Sequence, residues 1–332
     1  MTPTPAHTPA PAPAPAPAPF QVLDPGTVRR RVTVSPAMCG HNSLFLGQVG
    51  DWTWETVGAL CDTDVLAAKG AGGDPAYLAF FYYRVRGSRE FHLRSPTFGD
   101  ELDVLSRSFD FGSESVLTLH RISSTTAAGD PPEPWDPAAF HRGPAPGTLH
   151  VENFNRWVSR RHADSNRGLV PASPPDFHHT RLPALPEEYS PRPVYGRARR
   201  ALTFREDTAG EYRSVAQGFT TRYGIDITRD LNGVGLVYFA SYFSFVDQAV
   251  LRQWRALGRS DRSFLRRRTV DQQLCYVGNA EPDSEFEMTV TVRAAAADPA
   301  EELVDVVVRD AHSSDLIAVS TQRVLRDLEE AE

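Results

Sequence analysis

Two glycine-bearing turns carry the side chains best placed for chemistry. Asn232-Gly233-Val234-Gly235 stands ahead of an aromatic stretch with helical spacing, and Gly40-His41-Asn42 stands ahead of an earlier apolar one. A glycine-rich turn before a helix offers backbone N–H groups at the positive end of the helix dipole, where a carbonyl or carboxylate oxygen can sit. His41 could polarise such a carbonyl or carry a proton, though a histidine beside a turn is often only a satisfied polar group. Asn232 could equally close an Asx turn or cap a helix with no substrate involved. Two arginine groups, Arg266-Arg267-Arg268 and Arg197, Arg199 and Arg200, could meet phosphates or an acidic protein face, or could be solvated surface.

Other chemistries find no support. No GxSxG elbow occurs, and Gly233 and Gly235 form GxG without a third glycine or a βαβ context, so esterase and dinucleotide folds are disfavoured. His178-His179 lies in a Pro-rich stretch without HExxH or a nearby cysteine, and no metal site or organic cofactor is expected. Cys39, Cys61 and Cys275 show no CxxC spacing and leave an odd thiol, which argues against a disulfide framework and fits a reducing cytoplasm. Lys69 is the one lysine, in a Gly-rich segment read as a turn, and so the one candidate for Schiff-base chemistry. A net charge of -7 offers no basic excess for a nucleic-acid backbone. No apolar run long enough for a membrane span occurs and no apolar core follows the start methionine, so a cytoplasmic protein is expected.

The elements that must position these residues come next. Residues 1–20 alternate Pro and Ala and are expected as a solvated tail outside the fold. Pro-rich stretches at Asp130–Pro146 and at residues 171–195 read as linkers or long ordered loops, leaving an N-terminal domain over 21–170 and a C-terminal domain over 196–332. In the first, Asp51 is read as the cap of a helix whose stripe is Trp54, Val57, Leu60 and Cys61. Strands are expected at Tyr77–Tyr83 and Ser115–Ile122, and after the Gly99-Asp100 turn at Leu102 and Val104. The second repeats that order, with a helix through Phe243, Val246, Val250 and Trp254 and strands at Gln272–Val277, Phe286–Val292, Val304–Arg309 and Ile317–Val324. Pro282-Asp283 takes the place of Gly99-Asp100. A degenerate duplication of one helix wrapped by an antiparallel sheet is an α+β plan whose two sheets can join edge to edge, a double hot dog with largely buried helices.

A resemblance extends this reading. The stretch Arg229–Tyr242 looks like the signature that opens the central helix of hot-dog acyl-CoA thioesterases, with Asn232 in the register of their catalytic Asp; Asp230 is the nearest carboxylate. Asn cannot act as a carboxylate base, which puts simple hydrolysis in doubt. Met38–Phe45, Gly50–Trp54, Val151–Trp157 and Asp230–Tyr242 together, nearly the whole chain after the tail, resemble the LnmK-type bifunctional acyltransferase/decarboxylase family of leinamycin-like polyketide biosynthesis. That resemblance implies removal of the carboxylate of methylmalonyl-CoA and placement of the propionyl group on an acyl carrier protein, in antibiotic biosynthesis, without a cofactor beyond the coenzyme A ester itself. It implies an active-site tyrosine, placed at Tyr77 with Tyr82 and Tyr83 as alternatives, acting either as an acylated nucleophile or as a hydrogen-bond donor, the donor role being preferred. Catalytic roles are expected for Tyr77, Asn232 and His41, and substrate contacts for Asn42, Gly233, Val234, Gly235, Arg266 and Arg268. A hot-dog thioesterase or dehydratase, and an acyl-thioester binding protein without turnover, are the alternative readings; a homodimer is an open expectation.

Overall fold

The computed structural model describes residues 19–126, 134–163 and 165–327, so the Pro/Ala tail up to residue 18 and part of the Asp130–Pro146 stretch lie outside the described residues. The first half runs β1 (Gln21–Asp24), β2 (Thr27–Thr33), α1 (Asn42–Cys61), β3 (Tyr77–Arg86), β4 (Glu101–Asp110), β5 (Ser115–Ser124), α2 (Pro137–Arg142), β6 (Thr148–Ser159) and β7 (Val170–Pro171). After α3 (Pro191–Ala201) the second half runs β8 (Tyr212–Gly224), α4 (Ser241–Ala256), α5 (Asp261–Arg266), β9 (Arg268–Tyr276), β10 (Glu285–Ala295), β11 (Glu301–Asp310) and β12 (Leu316–Leu325). All partners are antiparallel, in the order β1-β2-β4-β5-β6-β3-β9-β12-β11-β10-β8, with β7 beside β6. Strand, helix and four strands thus occur twice, in the same spatial order, and β3 meets β9 at the seam. The fold is the α+β double hot dog anticipated from the duplication.

Each half wraps its sheet round one helix. Along α1, Phe45, Leu46, Val49, Trp52 and Val57 are buried, and along α4, Phe243, Phe245, Val246, Ala249, Val250 and Trp254 are. One continuous apolar cluster joins both helices to strands from both halves, so neither sheet closes its core alone. Asp51 does not cap α1, contrary to the sequence reading. The helix begins at Asn42, because Phe45, Leu46 and Val49 extend the buried stripe two turns upstream.

The Pro-rich stretches carry structure of their own. Asp136 caps α2 by accepting the Ala138 N–H at 2.9 Å, and Phe140 stacks on His150 at 4.3 Å between ring centres. Within 171–195, Phe177 and Leu182 pack beside Trp157, and Pro183 O accepts the Asp110 N–H at 3.0 Å. Lys69 is fixed by an isolated bridge to Pro75. Among the described residues no helix is long and apolar enough to cross a membrane.

The sheet buries one carboxyl group with a measurable consequence. Burial raises Glu152, on β6, to about 7 against an ordinary 4.5, with Arg84 and Arg86 opposing the shift. Between those two pH values the folded chain holds a proton that the unfolded chain has released, so Glu152 lowers stability as pH rises through the window. Glu152→Gln should therefore gain up to about 3 kcal/mol on the native chain between pH 4.5 and pH 8. Urea unfolding of both proteins at the two pH values reads the difference; a gap independent of pH would assign Glu152 an unshifted carboxyl.

Candidate active site

The seam between the halves does not close along its whole length. β3 pairs with β9 only from Tyr82↔Cys275 to Arg86↔Asp271, so Tyr77–Phe81 have no partner on that side. A β-bulge between Phe80 and Tyr82, opposite β6, turns the strand away at this point. Where the strands diverge, a cavity of about 620 Å³ opens between β3, the end of β9, the middle of α1 and the chain leading into α4. Leu78, Phe80, Val158, Leu236, Val237 and Tyr242 give it buried walls, whereas Leu66 and Val234 are exposed at its rim. The place related to it by the duplication is filled by the buried Arg267, which donates to Asp247 at 2.9 Å and lies over the Phe264 ring.

The split leaves donors facing the cavity. Trp157 donates to Glu114 O and accepts from Ala172, so its main chain points away from β3, and its partner Leu78 is a pair without ladder bonds. Leu78 and, two residues on, Phe80 therefore turn their N–H groups toward the missing β9 partner. The Leu78 carbonyl confirms the direction: it accepts the Trp54 Nε1–H from α1 at 3.0 Å. Phe239, ahead of α4, stacks on Phe80 at 3.9 Å between centroids and packs directly on Gly50, at which a Cβ would fall 2.2 Å from its Cζ.

The Asn232 turn differs from the expected anion cradle. Asn232 Oδ1 accepts the N–H groups of Val234 at 3.1 Å and Leu236 at 3.0 Å, and Asn232 O accepts that of Gly235 at 2.9 Å. A bridge between Leu231 and Val237 closes the turn, with Gly235 at φ +76° where a side chain would be strained. Most of the turn's donors are thus engaged within the turn, and α4 starts only at Ser241. The Gly-rich turn does not present its amides at the helix N-terminus; Asn232 lines the cavity while its Oδ1 is engaged by the turn's own N–H groups. Asp230 is 2% exposed and holds the preceding loop by accepting Tyr223 Oη and Asp226 N.

Tyr77, Asn232, Gly233 and Val234 line one cavity, contributed by opposite halves of the chain. Gly235 lies just behind, against Arg160. His41 and Asn42 are elsewhere: His41 pairs with Ser43 Oγ, and the buried Asn42 donates to Asp247 Oδ2 at 3.0 Å across the two helices. Arg268 begins β9 and the cavity borders its other end at Tyr276, about 26 Å away at strand rise; Arg266 precedes it on α5. Neither arginine reaches the cavity. Of the alternative tyrosines, Tyr82 donates to Gln273 Oε1 at 3.0 Å and Tyr83 to Leu46 O at 3.3 Å, both buried in the core.

Three cavity groups escaped the sequence reading. Asp51 borders the cavity from the middle of α1, and among the described residues no hydrogen bond or ion pair holds its carboxylate. Asp51 is exposed at the cavity border, and the partial loss of water around its carboxyl there raises its pKa, with Glu55 one turn along adding to the rise. Tyr238, also in the wall, is pushed up to about 12 by burial and by Asp51, so its hydroxyl stays protonated. The third is the pair of amides on the β3 edge. The Gly50-Asp51-Trp52 motif was the available signal for Asp51; no side-chain motif marks a backbone edge.

The family profile described as the LnmK N-terminal hot dog fold domain matches residues 29–206. No curated protein matches the chain. A putative oleoyl thioesterase from Lactobacillus plantarum superposes with a TM-score of 0.58 at 10% identity, over 92% of this chain and 96% of its own. The 12:0-ACP thioesterase from Umbellularia californica gives 0.54 at 12%, over 91% and 94%. An acyl-ACP thioesterase from Bacteroides thetaiotaomicron gives 0.51 at 10%, over 90% and 97%. At these identities the likeness is one of fold alone.

Proposed function

The chain belongs to the LnmK N-terminal hot dog fold family, and from that premise we propose that it is a decarboxylating acyltransferase, taking methylmalonyl-CoA to a propionyl carrier-protein thioester. The single observation that carries the reading is the open seam: an apolar-walled crevice of about 620 Å³ into which an unpaired strand edge aims amide donors, with Tyr77, Asn232 and Asp51 at its borders. Loss of the carboxylate breaks the bond from Cα to the carboxyl carbon and sends its electron pair onto the thioester oxygen. The Leu78 and Phe80 amides, the Tyr77 hydroxyl and the Asn232 side-chain N–H groups are donors for that enolate oxygen, and buried Leu78, Phe80 and Tyr242 restrict water around it. The carboxyl group leaves as carbon dioxide, and a proton taken from solvent at Cα gives the propionyl thioester. The carrier thiol then attacks the carbonyl carbon, Asp51 takes the thiol proton, and the coenzyme A thiolate departs and is protonated.

The unheld carboxylate of Asp51 also favours a second reading, hydrolysis, in which it takes a proton from water instead. Incubation of the protein with carboxyl-labelled methylmalonyl-CoA and a pantetheinylated carrier separates the two. Release of labelled carbon dioxide with a carrier heavier by one propionyl group is the expected result; free acid with an unmodified carrier makes the protein a hydrolase.

Asp51→Asn should lower carrier acylation by about 10²- to 10⁴-fold while leaving carbon dioxide release nearly intact. In the native protein Asp51 must be ionised to take the thiol proton, so transfer should fall as pH drops through a value above the usual carboxylate range, the direction set by the partial loss of water and by Glu55. The variant should lose this acid limb. Equal loss of both steps, or an unchanged limb, would remove Asp51 from the transfer.

A further inference from the structure

Arg160 follows the last residue of β6 and lies against the rim of the cavity, its guanidinium 5.8 Å from the Tyr77 ring centre. Nε and NH2 donate to Asn166 Oδ1 at 3.1 and 3.0 Å, and NH2 also donates to Val234 O at 2.5 Å. Every acceptor is neutral. Among the described residues no carboxylate pairs with Arg160, nor with the exposed Arg161 beside it. Their neighbours differ, Arg156 being held by Glu114 at 3.1 Å and Arg167 by Asp310 at 3.3 Å. Among the described residues Arg160 is therefore a cation at the rim of the cavity with no carboxylate bonded to it.

Both coenzyme A and carrier-protein thioesters bear a phosphate at the outer end of the pantetheine arm, and a guanidinium fork matches phosphate oxygens. We infer that Arg160 holds this phosphate, so that the arm enters past Val234 and Tyr77 and leaves its thioester in the seam. The earlier arginine candidates, Arg266 and Arg268, stand at the far end of β9 and do not serve this mouth. Arg160 is a binding residue; the phosphate it holds is remote from the bonds that change.

The inference rests on the thioester reading above, and binding without turnover separates the two. Stable ketone analogues of propionyl-4′-phosphopantetheine and of propionyl-pantetheine, with CH2 in place of sulfur, are titrated by calorimetry against the full chain. Arg160→Gln should weaken the phosphopantetheine analogue about 10- to 100-fold and the pantetheine analogue, which has no phosphate, by less than about 3-fold. Arg160→Lys keeps the charge and should restore part of the loss, which excludes misfolding as its cause. Equal weakening of both analogues would show that Arg160 acts only by holding the Val234 turn, and would overturn the inference, as would no weakening of either. Phosphate-dependent binding with no carrier acylation would leave this inference standing and fail the transferase reading alone.

Discussion

Tyr77→Phe is expected to slow carbon dioxide release from methylmalonyl-CoA by about 100-fold or more, the usual effect of removing one oxyanion donor from an enclosed site. Tyr77 stands at the start of the unpaired edge, and its ring rests beside Arg160. Phe keeps that ring, so the unfolding free energy should move by no more than about 0.5 kcal/mol. Tyr82→Phe and Tyr83→Phe provide the contrast, because their hydroxyls bind Gln273 and Leu46 in the core. Those variants should lose stability, about 1 kcal/mol each, and keep most of their turnover. Full activity in Tyr77→Phe would leave the enolate's stabilisation to the backbone amides and Asn232.

Gly50→Ala is expected to cost about 1–3 kcal/mol and to distort the cavity at the same time. A Cβ at position 50 meets Phe239 Cζ at 2.2 Å and Cε1 at 2.8 Å. The ring has little freedom to retreat, being stacked on Phe80 at 3.9 Å and on Tyr83 at 6.1 Å. Phe239 is also part of the cavity wall, so a displaced ring enters the space that the acyl group would use. The double variant with Phe239→Leu should recover stability relative to the sum of the single changes, as contacting residues do. Denaturant unfolding of the four proteins of the cycle checks this; strict additivity would mean that the helix, and not the ring, gives way.

How much of this the chain disclosed depends on where each signal resides. The apolar stripe of α4 and the β-rich runs of β3, β10, β11 and β12 were legible because period and composition agree with burial. β2 and β8 were not. β2 carries Arg29, Arg30 and Arg31 in a row, and Arg29 becomes compatible with the sheet only through Asp103 on the neighbouring strand, at 2.6 Å. β8 is an edge strand whose residues are mostly exposed, so no alternation marks it. β6 was quoted as a motif and not seen as a strand, since the residues it turns toward α1 include Asn153, which donates to Thr53 Oγ1 at 2.6 Å, and not only apolar ones.

The site divides in the same way. Tyr77 and Asn232 are distant in sequence and share one cavity because the duplication brings the start of β3 beside the approach to α4. His41 and Asn42 occupy the corresponding approach to α1, but that end of the seam is filled by Arg267 and Asp247, which no local motif near His41 could disclose. The amides of Leu78 and Phe80 become donors only because a bulge ends their pairing, a property of register and not of residue type.

The most direct test is a crystal structure with a stable ketone analogue of propionyl-CoA bound. Its carbonyl oxygen should lie within about 3.2 Å of the Leu78 or Phe80 nitrogen or of Tyr77 Oη, between the parted strands β3 and β9. A carbonyl resting near His41 and Asn42, or a seam that has zipped shut with the analogue outside it, would contradict the account.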